Sequence, residues 1–416
     1  MTDTGQRLDL DRVRELFDLS SNTHAFNGGS YRNDPYPVWH RLRDAAPVHE
    51  GTVHGLSGVT EDFLFHGLPS PELPHFSAFS WEACDAAYRD EERFASAPQA
   101  VDVRDGEVNP LNSMLSMGGA EHRRYRGLVQ PSFAPPKVPW WIRNWIDRTV
   151  HGLIDSFEAA GRAELNVELC AAIPVLTITG SFGVPVDQAL DIRAALSRPQ
   201  ELVGMIAPIV AARRDDPQDD LISVLVEAEL TDEDGRAHRL SDAEIYSFSI
   251  LLLAAGSGTT WKQMGITLAA LLQRPHVLDA VREDRELLRP AIEESLRWSP
   301  TDPMFSRWVT KDIDFFGVHL PKGSVLHICL GAANRDPARW DRPDEYDITR
   351  SLRPSLAFGS GPHVCLGQHV ARAEMTVALN ALFDRLPGLR LDPDADPPAL
   401  IGFYERGATA IPTVFG

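Results

Sequence analysis

The chain has 416 residues, 43% hydrophobic and 24% charged, so a packed globular core is expected. A net charge of −19 makes nucleic acid and anionic membrane poor partners. Four scattered cysteines with no C-x-x-C pair supply neither a disulfide framework nor a zinc site.

Residues 1–33 read as a polar extension, and Met1 to Asn22 carries alternating charges rather than a basic-then-apolar leader. No apolar run approaches the roughly 18 residues that span a bilayer, so the expectation is a cytoplasmic protein without a membrane anchor. Asp34-Pro-Tyr-Pro turns into a short amphipathic helix. Residues 48–79, rich in Gly, Pro and His, read as strands with an irregular insertion, 81–90 as a helix, and 101–117 as a long loop. From Glu121 helical spacing dominates, with helices expected over 139–160, 169–182 and 199–214. Ser241-Asp-Ala-Glu244 has the form of a capping box opening the longest apolar helix, which reaches about Leu272. A helix over 290–298, short strands over 301–328 with turns at Gly317 and Pro321-Lys-Gly323, a helix over 368–386 and proline-broken strands complete the chain. No repeat or low-complexity linker interrupts it, so one mainly α domain over 1–416 is expected.

Four segments carry chemistry. His122-Arg-Arg-Tyr-Arg126 sets a histidine and an arginine four apart, two donors for one anion or simply a solvated basic face. Ala255-Gly-Ser-Gly-Thr-Thr260 places two glycines in one helical turn, each costing about 1 kcal/mol relative to alanine. Either the helix widens there to admit a small molecule, or it packs tightly. Glu294-Ser-Leu-Arg297 is an i, i+3 pair, most often a surface ion pair. The most specific run is Phe358-Gly-Ser-Gly-Pro-His-Val-Cys-Leu-Gly367. It holds Cys365 behind bends at Gly359 and Gly361, with His363 two residues before and Gly367 two after. A thiolate in a loop with free backbone N–H groups suits the axial position of a haem iron, where it favours O–O cleavage. Hydrogen bonds to the sulfur tune that donation.

The pattern F-G-x-G-x-H-x-C-x-G resembles the haem-binding signature of the cytochrome P-450 family of haem-thiolate monooxygenases. The resemblance extends from about Asp34 to Phe415. It implies the cytochrome P-450 fold, a large helical domain with small peripheral β-sheets around buried haem b (iron protoporphyrin IX). It further implies Cys365 as the axial ligand, with Phe358, Gly359 and Gly256 against the cofactor. His122, Arg126, Arg307 and His363 would bind propionates, and Glu294 and Arg297 would form a buried structural network. Gly258, Thr259 and Thr260 correspond to the oxygen site. Leu251, Ala254, Ala255, Pro303, Phe305, Phe403 and Tyr404 are the expected pocket. The implied function is a soluble bacterial-type monooxygenase inserting one atom of O2 into an apolar small molecule. No flavin or nicotinamide domain is fused, so electrons would come from a separate ferredoxin and its NAD(P)H-dependent ferredoxin reductase, docking near Arg123, Arg124 and Arg372.

The chain departs from the family twice. The usual helix motif is Ala-Gly-x-Asp/Glu-Thr, and Gly258 stands where the acid belongs. That leaves open a peroxide-driven oxygenase, a haem-dependent rearrangement enzyme, or a haem protein that binds a ligand without turnover. The stretch from Gly183 to Asp220 is also short for the two helices and loop that roof the family's pocket.

Overall fold

The computed structural model describes residues 8–20, 28–60, 72–97, 113–231 and 235–415. Everything in it is arranged around one 31-residue helix, Asp242–Leu272. The capping box forms as expected: Ser241 Oγ accepts the Glu244 N–H at 3.3 Å, and Glu244 Oε2 accepts the Ser241 N–H at 2.8 Å. The helix is apolar on nearly every side, which requires burial on nearly every side. Helices Ala172–Ser181, Leu288–Trp298 and Gln368–Arg385 provide it. The largest apolar cluster takes side chains from Met114 through Phe415.

The central helix runs unbroken through Gly256 and Gly258, with no local widening. A Cβ on Gly256 would lie 2.7 Å from Ile178 Cγ1, so this glycine serves close packing of two helices. The expected widening is corrected on that ground.

A five-stranded sheet flanks the helices in the order Val48–Glu50, His75–Ala78, Val325–Ile328, Phe305–Val309, Phe94–Ala95. His75–Ala78 pairs with Val325–Ile328 in parallel, and the other pairings are antiparallel. Two- and three-stranded sheets lie at the periphery, so the mainly helical fold with small sheets is the one expected. Within 48–79 a short helix, Val53–Leu56, separates the two strands, and 61–71 lie outside the described residues, as do 101–112 of the expected loop.

The N-terminal segment is not merely a polar extension. Asp9 caps helix Leu10–Leu16, whose Val13 is fully buried, and Phe17 and Leu19 follow at 5% and 4% exposure. They pack with Val175, Leu190, Trp261 and Ile401. Three apolar residues among many charges make a one-sided stripe that composition averages away. The short roof consists of helices Ala189–Ala195 and Pro199–Asp215, joined through Leu196, Ser197 and Arg198.

Candidate active site

The loop ahead of helix Gln368–Arg385 is shaped by glycine. Gly359 and Gly361 take φ of +71° and +72°, and a Cβ at 361 would lie 2.5 Å from the Tyr88 carbonyl. The Cys365 N–H donates to the Phe358 carbonyl at 2.8 Å and closes the turn. Burial raises the Cys365 pKa, opposed by the Gly367 N–H and by the Arg126 and Arg372 charges, which favour the thiolate. From Gly361 to His369 every residue is half-buried.

The central helix has one open stripe. Ala254 and Ala255 are exposed, and Leu251, Gly258 and Thr259 are half-buried, on a helix otherwise largely sealed. Their spacing places them on one face. The Thr259 hydroxyl donates to the Ala255 carbonyl at 3.3 Å. Thr260 is buried. A Cβ on Gly258 would stand 3.4 Å from Arg193 Nη1, and that guanidinium donates to Ser257 Oγ at 3.2 Å.

Histidines far apart in sequence meet beside the cysteine loop. The His122 and His363 rings stack at 3.9 Å, and His363 Nε2 lies 3.1 Å from Ser96 Oγ. Burial first, then neighbouring positive charge, lowers the His122 pKa to about 4. Burial first, then His122 and the two arginines, lowers that of His363 to about 3. Both rings are therefore neutral near pH 7. Arg126 Nη2 donates to the Val364 carbonyl at 2.7 Å, and Arg307, 9% exposed, donates to the Ser306 carbonyl at 2.9 Å and lies 5.3 Å above the Tyr88 ring. Neither arginine has a carboxylate partner among the described residues.

Three neighbours were invisible in the sequence. Glu91 brings a carboxylate within 4.8 Å of donor atoms on both histidines. Ser96 holds His363, and the buried Tyr88 hydroxyl has no hydrogen bond among the described residues. No motif marks them; only the packing of helix Trp81–Arg89 against the cysteine loop brings them in.

Behind the loop, Arg297 Nε and Nη2 each donate to Glu294 at 2.7 Å, and the guanidinium also reaches the carbonyls of Asn334, Pro343 and Glu345. Of the expected pocket residues, Phe305 is half-buried, whereas Pro303 is packed against Gly331. Phe403 and Tyr404 need correcting: both are 0% exposed in an aromatic cluster with Trp39 and Tyr36, and the Tyr404 hydroxyl meets His54 Nδ1 at 2.5 Å. They are core, because the Gly402 turn folds inward beneath the N-terminal residues Gly28 and Tyr31. The expected docking patch also shrinks: Arg123 is exposed, but Arg372 is bound by Glu293 and lies 4.5 Å over the Phe358 ring.

Comparison with known proteins identifies the family. The Cytochrome P-450 family model matches residues 192–399. The cytochrome P-450 monooxygenase PikC of Streptomyces venezuelae is 30% identical over 404 residues, 92% of each chain. This chain belongs to the cytochrome P-450 family. The biotin biosynthesis cytochrome P-450 of Bacillus subtilis is 29% identical over 384 residues, covering 87% of this chain and 91% of its own. Among solved structures, P-450BioI in complex with hexadec-9Z-enoic acid ligated acyl carrier protein superposes with a TM-score of 0.76 at 29% identity, covering 92% of this chain and 99% of that one. The bacillaene polyketide synthase cytochrome P-450 PksS of Bacillus subtilis superposes with a TM-score of 0.81 at 27% identity, covering 94% and 99%.

As a cytochrome P-450 the protein is an oxidoreductase, and the cofactor of the family is haem b. The residues present fit that group. The buried Arg307 and half-buried Arg126 guanidiniums, neither with a carboxylate partner among the described residues, stand beside a buried His122 Nδ1 that makes no hydrogen bond among them, a donor set matched to two propionates. The Cys365 sulfur, with the Gly367 N–H as its backbone donor, would supply the iron ligand. Among the described residues no helix is long and apolar enough to cross a membrane.

Proposed function

We propose that this cytochrome P-450 inserts one atom of O2 into a small, largely apolar organic substrate, using electrons from a separate ferredoxin and its NAD(P)H-dependent reductase. One observation carries the reading: a glycine-bent loop that holds Cys365 between Phe358 and Gly367 accompanies an open stripe of small residues on the central helix, Ala254, Ala255 and Thr259. Bound at Cys365, haem would supply the activation of O2. The chain's own residues do the rest. Cys365 ligates through Sγ, and the Gly367 N–H moderates its charge. Phe358 and Gly359 hold the loop; His122, Arg126, Arg307 and His363 fix the propionates. Gly256 permits the close helix contact that sets the height of the stripe. The Thr259 hydroxyl can exchange its long bond to Ala255 for one to a water above the stripe. Leu251, Ala254, Ala255 and Phe305 offer an apolar wall, as small-molecule sites require. Relatives named for polyketide and fatty-acyl chemistry support a carbon-rich substrate. Of the expected patch, Arg123 is exposed, with Glu91 3.5 Å from its guanidinium, and offers a ferredoxin its cationic edge.

The test is an optical titration of the haem-loaded ferric protein against apolar substrate classes, followed by turnover with ferredoxin and reductase. A saturable low-to-high-spin shift with one class, and oxygenated product from it, is the expected result; Cys365→Ala should abolish the thiolate-type spectrum. Product under neither reductase nor peroxide supply would overturn it in favour of a ligand-binding haem protein.

A peroxide-driven enzyme is a second reading, favoured by Arg193 rather than a carboxylate at Gly258. Gly258→Asp separates the two. A rise in product formed per electron consumed supports the reductase-driven reading, and product only with hydrogen peroxide, in both forms, supports the second.

A further inference from the structure

Lys262 lies four residues beyond Gly258 on the central helix, on the same face one turn further. It is 2% exposed, between Glu405 Oε2 at 3.3 Å and Asp302 Oδ1 at 3.5 Å. Burial alone would lower the Lys262 pKa, yet Glu405 and Asp302 together raise it above its ordinary value. The lysine is therefore a buried ammonium, and the two carboxylates are its counter-charges.

Asp302 is not used up by that role. Its Oδ1 is sealed from solvent and makes no hydrogen bond, since the lysine stands beyond the about 2.7–2.9 Å of a charge-assisted bond. Among the described residues no hydrogen bond engages its second oxygen either, while the side chain keeps 13% exposure. The backbone on each side is held. The Thr301 N–H donates to Gln263 Oε1 at 3.0 Å, the Thr301 hydroxyl donates to the Arg406 carbonyl at 2.8 Å, and Pro303 is buried. A rigid turn thus presents the carboxylate beside the central helix, one turn past Thr259 at the end of the open stripe.

We propose that Asp302 is a substrate anchor, accepting a hydrogen bond from a donor group, a hydroxyl or a protonated amine, on an otherwise apolar substrate. The inference rests on the monooxygenase reading and narrows its substrate class. A mostly buried carboxylate lacking ordinary bonds gains most from a ligand that supplies one. Glu405 makes the arrangement workable, because Lys262 keeps a partner at 3.3 Å when Asp302 turns to a ligand. A substrate without a donor would seal the carboxylate from water with only the lysine 3.5 Å away, so the site discriminates against it.

The haem-loaded protein is titrated by calorimetry, with the optical spin shift as a second readout, against dodecanol, its isomer 1-methoxyundecane, dodecylammonium and dodecyltrimethylammonium. Dodecanol should bind about tenfold or more tighter than the ether, or dodecylammonium than its trimethyl analogue, the size of one hydrogen bond to a charged group. Asp302→Leu should bring each pair within about twofold, as follows from losing that bond. Asp302→Asn keeps the side-chain volume and an acceptor; it preserves an alcohol preference and removes an ammonium preference, which tells the two donors apart. Equal binding within both pairs by the unmodified protein, binding by none of the four, or a preference that survives Asp302→Leu overturns the anchor. Equal binding accompanied by a spin shift sinks the anchor alone and leaves the monooxygenase reading standing.

Discussion

Arg193 Nη1 stands 3.4 Å from the point where a side chain on Gly258 would begin, whereas two residues earlier Ile178 Cγ1 stands only 2.7 Å from the same point on Gly256. The two glycines of one turn therefore differ in kind. At 258 a methyl group makes ordinary contact, and the gain in helix propensity is about 1 kcal/mol. At 256 it drives into a packed isoleucine, an overpacking that costs about 1–3 kcal/mol. Denaturant unfolding of Gly258→Ala and Gly256→Ala should move the stability in opposite directions. Stabilisation of both variants would mean that helix propensity alone sets both positions, and destabilisation of both would mean that Gly258 is packed as tightly as Gly256.

Arg297 is 2% exposed and makes five short bonds, two to Glu294 and three to backbone carbonyls. A lysine keeps the charge but cannot reproduce the planar fork. Breaking such a buried pair costs about 3–5 kcal/mol, so Arg297→Lys should lower the unfolding midpoint markedly even before haem is added. Unchanged stability of the haem-free variant would show that Arg297 is needed only once the cofactor is bound.

Phe17 ties the N-terminal segment to the body. Its ring meets Trp261 edge-on at 5.6 Å, and the Arg193 guanidinium lies 4.7 Å over it. Phe17, 5% exposed, is a core side chain, so Phe17→Ala should destabilise by about 3–5 kcal/mol. Limited proteolysis near residue 20 should accelerate with it. Wild-type stability and cleavage rate in the variant would mean that the segment contributes no docking energy.

His327 is 2% exposed, with Nε2 2.9 Å from His75 Nδ1 and Nδ1 2.9 Å from Ser306 Oγ. Burial first, then His75 and His54, lowers its pKa from 6.5 to about 3. Above 6.5 the ring is neutral in both states and the fold keeps its full stability. As pH falls below 6.5 the unfolded chain takes up a proton that the native ring refuses, so stability drains away down to about 3. Between about pH 7 and pH 5 the native protein should lose about 1–2 kcal/mol more than His327→Asn. Parallel pH profiles for the two would assign the acid sensitivity to other groups.

How much the sequence alone determined follows from the range of each constraint. The capping box, the long apolar helix and the glycine bends around Cys365 obey local rules, because backbone hydrogen bonds and φ angles depend on residues a few positions apart. Cys365 and the His122–Arg126 spacing were legible for the same reason. What Gly256 and Gly258 are for was not, since a glycine's purpose is the atom across from it, and Ile178 and Arg193 lie on other helices. The burial of Phe403 and Tyr404, the docking of Val13 and Phe17, and the gathering of Tyr88, Glu91 and Ser96 at the two histidines were likewise decided by tertiary packing. So was the meeting of Lys262 with Asp302 and Glu405, three charges spread over 143 positions that become one site only when the C-terminal turn folds onto the central helix. Apolar burial is non-directional and joins whatever surfaces meet in space, so it selects partners that no window along the chain contains.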